Sequence, residues 1–211
     1  MSSKIFKGAT VLVTGASSGI GEAFAHNLAK RGANLILTAR SQDKLAKIAD
    51  ELRGSYRISV HVFPVDLILP DAPTQLFERI KASELSVDVL INNAGFGKWA
   101  HFLGENLDTY EQMLSLNINA LVRLTYLCVP DMLARGQGRC DQCGVYRRFP
   151  ANSIHCRIFG IQVICAEFYG GARRRISGAR HSLSSVVSWL YGHQLQFDSK
   201  CEHGGDTLCH T

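Results

Sequence analysis

The segment Thr14-Gly15-Ala16-Ser17-Ser18-Gly19-Ile20-Gly21 carries the clearest chemical signal in this 211-residue chain. Glycine lets a backbone turn tightly and approach a ligand that a Cβ would hold off. Two serines add hydroxyl donors. The apolar, β-branched run Ala9–Thr14 precedes it and suits a buried parallel strand. Glu22 to Arg31 follows, with Phe24, Leu28 and Ala29 at helical spacing, and Gly32 stops that helix. A helix starting at such a loop turns its free N–H groups and its positive dipole end toward it. A pyrophosphate is the natural guest. The loop Thr14–Gly21 is therefore expected to bind a nucleotide.

The elements that must hold this loop follow in regular order. Asn34–Ala39, Val60–Val65 and Val87–Asn92 read as strands. Asp43–Arg53 reads as a helix, with Leu45, Ile48, Ala49 and Leu52 on one face. Pro73–Ser83 is a third helix, and Leu107–Ala134 reads as one long helix. Strands alternating with helices of this length imply βαβ units. The fold expected for residues 1–138 is α/β, a Rossmann-like, doubly wound parallel sheet, incomplete after the fourth or fifth strand.

Composition narrows the class. The chain is 46% hydrophobic and 19% charged, which suits a packed core and argues against global disorder. Its net charge of +5 is uneven. Residues 1–138 carry 14 Lys+Arg against 13 Asp+Glu, whereas residues 139–211 carry 9 against 5. The excess is a property of the tail, so no nucleic-acid partner is inferred from it. No apolar run reaches the ~18–20 residues of a membrane span, and the first residues do not read as a signal peptide. A cytoplasmic setting is expected.

Four motifs in order resemble the short-chain dehydrogenase/reductase family: Thr14-Gly15-x-x-x-Gly19-x-Gly21, Asp66 after the third strand, Asn92-Asn93-Ala94-Gly95 after the fourth, and Asn117 within Leu116–Ala120. They span nearly all of residues 7–138. The resemblance implies that Ser17, Ser18, Gly19, Ile20 and Gly21, with Gly15 at the turn, cradle the cofactor phosphates and that Asp66 bonds the adenine edge, with Val65 and Leu67 flanking the ring. It implies that Asn93, Ala94 and Gly95 line the cofactor channel and that Asn117 holds a water in a proton relay. Two plainer readings stay open: Asp66 as a helix N-cap and Asn92 as an amide pinning neighbouring strands. The end of the second strand meets the cofactor's adenosine ribose. A carboxylate there would favour NAD; this chain has Ala39-Arg40-Ser41 instead. Arg40 can pair with a 2′-phosphate, so NADP is expected over NAD.

The resemblance also implies a Ser and a Tyr-x-x-x-Lys soon after Gly138, and the encoded tail has neither. Tyr146 is followed four residues on by Pro150, Tyr169 by Arg173 and Tyr191 by Leu195. The tail loses all periodicity and holds six of the seven cysteines, and no fifth strand is legible in it. Read one nucleotide later, the codons of Asp141–Tyr146 permit Ile-Asn-Val-Ala-Ser, and those of Arg157–Val163 permit Val-Tyr-Leu-Ala-Ser-Lys. The shifted serine spans Val145/Tyr146, the tyrosine Ile158/Phe159 and the lysine Gln162/Val163, at the family's spacings. Residues 139–211 are therefore expected to be an out-of-frame tail, with the frameshift between about Gly136 and Cys140. A zinc module using Cys140-x-x-Cys143 with His155/Cys156, or Cys201, His203, Cys209 and His210, is the rival, but the spacings match no common zinc pattern in full. No metal site is expected.

Two functions are carried forward. One is an NADP-dependent oxidoreductase interconverting a small-molecule carbonyl and an alcohol, whose full-length relatives are expected to be homo-oligomers. The other is a nucleotide-binding remnant without catalysis.

Overall fold

Val11, Leu12 and Val13 are all fully buried. A strand achieves that only when both faces of its sheet are covered. The computed structural model describes residues 6–98, 101–136 and 138–142. Expectations for residues 143–211, including the rival zinc ligands and the shifted serine, tyrosine and lysine, lie outside the described residues.

The order is β1 (Thr10–Thr14), α1 (Gly19–Ala29), β2 (Asn34–Ala39), α2 (Gln42–Ser55), β3 (Val60–Pro64), α3 (Ala72–Ala82), β4 (Val89–Asn92), α4 (Leu107–Leu114), α5 (Leu121–Ala134) and β5 (Arg139–Gln142). The strands form one parallel sheet in the order β3-β2-β1-β4-β5. Alternation along each strand feeds two cores. Val11, Val13, Leu35, Leu37, Val89 and Ile91 face α1 and α2, packing on Ala25, Leu28, Leu45 and Leu52. Leu12, Ile36 and Leu90 face the other way, onto Leu76 and Ile80 of α3 and Leu124, Cys128 and Met132 of α5. Burial, with Cys140 nearby adding to it, pushes the Cys128 thiol up to about 12, so it packs as a neutral group.

Two expectations change. The sequence shows no fifth strand in the tail, yet Arg139–Gln142 pairs with β4 in the register Val89↔Arg139 to Asn92↔Gln142. Arg-Cys-Asp-Gln has no strand-like pattern. The open edge of β4 supplies the partner, and backbone pairing needs no particular side chains. The helix read as Leu107–Ala134 is continuous in path, but Ser115–Ala120 widens into a π-helical segment between α4 and α5. Contrary to the expectation that no apolar run reaches membrane-span length, Leu107–Ala134 is long and apolar enough to cross a membrane by length and composition. Here its face with Leu121, Leu124, Cys128 and Met132 is buried within the protein.

Candidate functional site

The strand order fixes where the site lies. From β1 the chain steps to β2 and β3 on one side, then crosses back to β4 on the other. The loops leaving β1 and β4 therefore diverge, and a crevice opens between them at the carboxyl ends of the strands. Gly15–Gly21 follows β1, Arg40 follows β2, Asp66 follows β3 and Asn93–Gly95 follows β4. The fold thus brings all four motifs to one end of the sheet.

The glycine loop is held by its neighbours. Asn93 Nδ2 donates to the carbonyls of Thr14 (2.9 Å) and Gly15 (3.3 Å). Gly15 has φ +67°, and a Cβ there would stand 2.9 Å from Ala94 Cα. A Cβ on Gly21 would stand 2.2 Å from the Gly15 carbonyl oxygen and 2.6 Å from Asn93 Nδ2. Gly19 is different: φ is +59°, but nothing lies within 4 Å of where its Cβ would be. The loop is closed below and open above.

Helix α1 starts at Gly19, inside the motif, three residues before the sequence suggested. Ser18 is its N-cap and makes no side-chain cap bond. The first-turn N–H groups of a helix have no acceptor within it. Ser18, Gly19 and Ile20 are exposed and Ser17 is half-buried. Ser41, N-cap of the 14-residue α2, also makes no side-chain cap bond. Arg40 beside it is exposed and forms no ion pair with another described residue. Thr38 Oγ1, two residues earlier, is buried without a hydrogen-bond partner among the described residues. An open glycine cradle at a helix N-terminus fits a phosphate-bearing nucleotide cofactor.

Asp66 is not the N-cap of α3, because Asp71 holds that position. Asp66 Oδ1 instead accepts from Ile68 N at 3.2 Å, shaping the turn after β3. Leu67 is 5% exposed and belongs to the core, so toward a ligand it offers chiefly its backbone. Asn92 is buried, and its Nδ2 donates to Thr125 Oγ1 at 3.1 Å. It pins β4 to α5 as well as lying at the sheet's end.

Asn117 sits in the π segment, where its side chain clasps the loop after β4. Its Nδ2 donates to the Phe96 carbonyl at 2.9 Å, and its Oδ1 accepts from Phe96 N at 3.1 Å. A Cβ on Gly95 would stand 3.0 Å from Asn117 Oδ1. The amide thus grips the residues that line the crevice. Sequence reasoning missed Thr14 as a site residue, although Thr14 Oγ1 accepts from Asn93 N and Ala94 N, both at 2.9 Å. Its place as the first letter of the glycine motif was the available signal. No group of three or more His, Cys, Asp or Glu gathers as a metal site among the described residues.

A sequence profile for short chain dehydrogenase matches residues 9–140. The chain belongs to the short-chain dehydrogenase family. It is 33% identical over 137 residues to the very-long-chain 3-oxoacyl-CoA reductase of Mus musculus, covering 62% of this chain and 43% of that one. It is 38% identical over 133 residues to the oxidoreductase UcpA of Escherichia coli K12, covering 63% of this chain and 49% of that one. The chain thus spans less than half the length of these relatives. Among solved structures it resembles a 3-oxoacyl (acyl-carrier-protein) reductase of Agrobacterium tumefaciens with NADP bound. That pair has TM-score 0.74 and 27% identity, covering 84% of this chain and 69% of that one. It also resembles the L-sorbose reductase of Gluconobacter frateurii complexed with NADPH and L-sorbose. There the TM-score is 0.72 with 28% identity, covering 81% of this chain and 66% of that one. The matched family is an oxidoreductase family, and members of it are solved with a nicotinamide cofactor.

Proposed function

We propose that this chain binds NADP, as the cofactor-holding half of an oxidoreductase that interconverts a small-molecule carbonyl and an alcohol. The observation that carries the reading is the open cradle of Ser17–Gly21 at the N-terminus of α1, braced by Asn93. Exposed Arg40, without an ion-pair partner among the described residues, adjoins it at the end of β2. The helix-end N–H groups and the serine hydroxyls hold the pyrophosphate. Arg40 and the N-terminus of α2 hold the 2′-phosphate that distinguishes NADP from NAD. Asn93–Gly95 line the wall opposite, fixed in place by Thr14 and Asn117.

When bound, the cofactor supplies or accepts the hydride. The chain must then give a proton to the substrate oxygen or take one from it. In the matching family that task belongs to a tyrosine with a lysine four residues on, assisted by a serine. We infer that these three residues are encoded one nucleotide out of frame after Gly138, so this polypeptide keeps the cofactor cradle without the proton donor. Nucleotide sequence across codons 136–140 tests the frame. Titration of the full chain with NADPH, followed by fluorescence, tests the cradle. Saturable NADPH binding that ATP displaces only weakly is the expected result. No binding by a folded chain would overturn it.

A further inference from the structure

Strand β3 ends the strand order, with β2 on one side and no described strand on the other. Its ladder shows which backbone groups point outward. Leu35 N donates to the Ser59 carbonyl at 2.8 Å, and Val65 N donates to the Ala39 carbonyl at 3.0 Å. Along a parallel strand the residues turn alternately to the two neighbours. Ser59, His61, Phe63 and Val65 therefore face β2, and Val60, Val62 and Pro64 turn their backbone groups away from it. An outward row of this kind is a template for an added strand.

Two arginines reach that row from opposite layers. Arg53, in the last turn of α2, donates to the Val60 carbonyl from Nε at 3.1 Å and from Nη2 as well. Its Nη1 pairs with Asp50 Oδ1 at 2.8 Å, which orients the guanidinium. Arg79, in α3, donates from Nη1 to the Pro64 carbonyl at 3.4 Å, with its Cζ 5.4 Å from the centre of the Phe63 ring. Helix α2 packs on one face of the sheet and α3 on the other, so the two guanidinium groups clip the row at both ends. Pro64 adds a further block, since it has no N–H to offer.

We propose that Arg53 and Arg79 are a two-sided guard that keeps the β3 edge from pairing with the same edge of a second copy of this chain. Antiparallel pairing centred on Val62 would exchange two bonds between the two Val62 residues. It would also set the Val60 N–H of each copy on the Pro64 carbonyl of the other. That carbonyl is the one Arg79 holds, and Arg53 fills the space beside Val60. The same pairing would bring Arg53 of each copy against Arg79 of the other, and like charges facing each other across strands are destabilising. The guard stands apart from the glycine loop and from Asn93–Gly95, and it is independent of cofactor binding.

The test compares the full chain with the double variant Arg53→Met, Arg79→Met. Methionine keeps an unbranched stem and removes the guanidinium. The control is Lys30→Met, Lys47→Met, at two exposed positions away from the row, which makes the same change in charge and apolar surface. Association is followed by thioflavin T fluorescence and sedimentation velocity, and the Val62 amide by hydrogen–deuterium exchange. A net hydrogen bond converts to roughly two- to tenfold, so each lost guard bond should speed association by that factor over the lysine control. The Val62 amide should exchange freely in the parent and become protected once the double variant associates. A folded double variant that associates no faster than the lysine control overturns the proposal. So does faster association that leaves Val62 exchanging as in the parent, since the copies would then be joined elsewhere. A Val62 amide already protected in the parent also overturns it. If the double variant does not fold, Arg79→Met alone decides by the same readings, because Arg79 is an exposed side chain.

Discussion

Thr14 and Asn93 are locked to each other in both directions. Thr14 Oγ1 accepts from Asn93 N, and Asn93 Nδ2 donates to the Thr14 carbonyl, both at 2.9 Å. The same hydroxyl accepts from Ala94 N at 2.9 Å and donates to the Ile91 carbonyl at 3.2 Å. One buried side chain thus sets the width of the crevice between the β1 and β4 loops. Thr14→Val keeps the shape and removes the hydroxyl, stranding two backbone N–H groups. An unsatisfied buried donor costs about 1–3 kcal/mol. A fall in the urea midpoint of that order is expected, together with weaker NADPH binding. Thr14→Ser should recover most of both. An unchanged midpoint in Thr14→Val would show that water replaces the hydroxyl without loss.

Two of the loop's three glycines, Gly19 and Gly21, should respond differently to a methyl group. At Gly19 the space is open and only the backbone angle, φ +59°, resists. A left-handed non-glycine residue costs about 1–2 kcal/mol. At Gly21 the new Cβ would meet the Gly15 carbonyl and Asn93 Nδ2 at once. Overpacking of this kind costs typically about 1–3 kcal/mol and displaces backbone. Gly21→Ala should therefore abolish NADPH binding by breaking the Asn93 brace, whereas Gly19→Ala should retain a folded, weaker binder. Calorimetric titration of both variants separates them. Equal loss of binding would mean that the brace is not what shapes the cradle.

Cofactor choice rests on one exposed guanidinium. If Arg40 and the N-terminus of α2 receive a 2′-phosphate, Arg40→Asp removes an attraction and adds a repulsion. A hydrogen bond to a charged group is worth about 1.5–3 kcal/mol, roughly ten- to a hundredfold in affinity. NADPH affinity should fall by that factor and NADH affinity should not fall with it. The preference should also shrink as salt is raised, because the contact is solvent-exposed. Parallel weakening of both cofactors would place Arg40 outside the ribose pocket.

Strands β1 to β4 and helices α1 to α3 were legible because each carries a local signature. Leu45, Ile48, Ala49 and Leu52 repeat at helical spacing, and all four are buried. Val11-Leu12-Val13 can be satisfied only between two covered faces. The glycine motif was legible for the same reason: its residue types answer a backbone demand made on the spot. What escaped the sequence was decided at a distance. Arg139–Gln142 becomes a strand because β4 has an open edge, not because of its own side chains. The widening at Ser115–Ala120 accompanies the bonds between Asn117 and Phe96, 21 residues away in sequence. One open reading of Asn92 was a link between strands; one of its bonds runs to Thr125, on a helix. A short polar side chain fits many partners, and only the fold selects one.

The last expectation concerns turnover. Reducing a carbonyl puts negative charge on its oxygen, and a positioned proton donor offsets that charge. General acid catalysis contributes typically ~10²–10⁴-fold, and a hydroxyl donor placed at the developing oxyanion adds ~10²–10³-fold. Asn117 cannot stand in for either: an amide does not release a proton at neutral pH, and this one is held by Phe96. The chain as encoded should therefore bind NADPH and show no oxidation of it with any carbonyl offered. Shifting the frame by one nucleotide near codon 138 should restore the Ser, Tyr and Lys together, and turnover with them. Both polypeptides can be followed by NADPH absorbance in the same assay. Turnover by the unshifted chain that disappears in Tyr169→Phe would reverse the reading, making the encoded tail a divergent catalytic half with Tyr169 and Arg173 in place of the family pair.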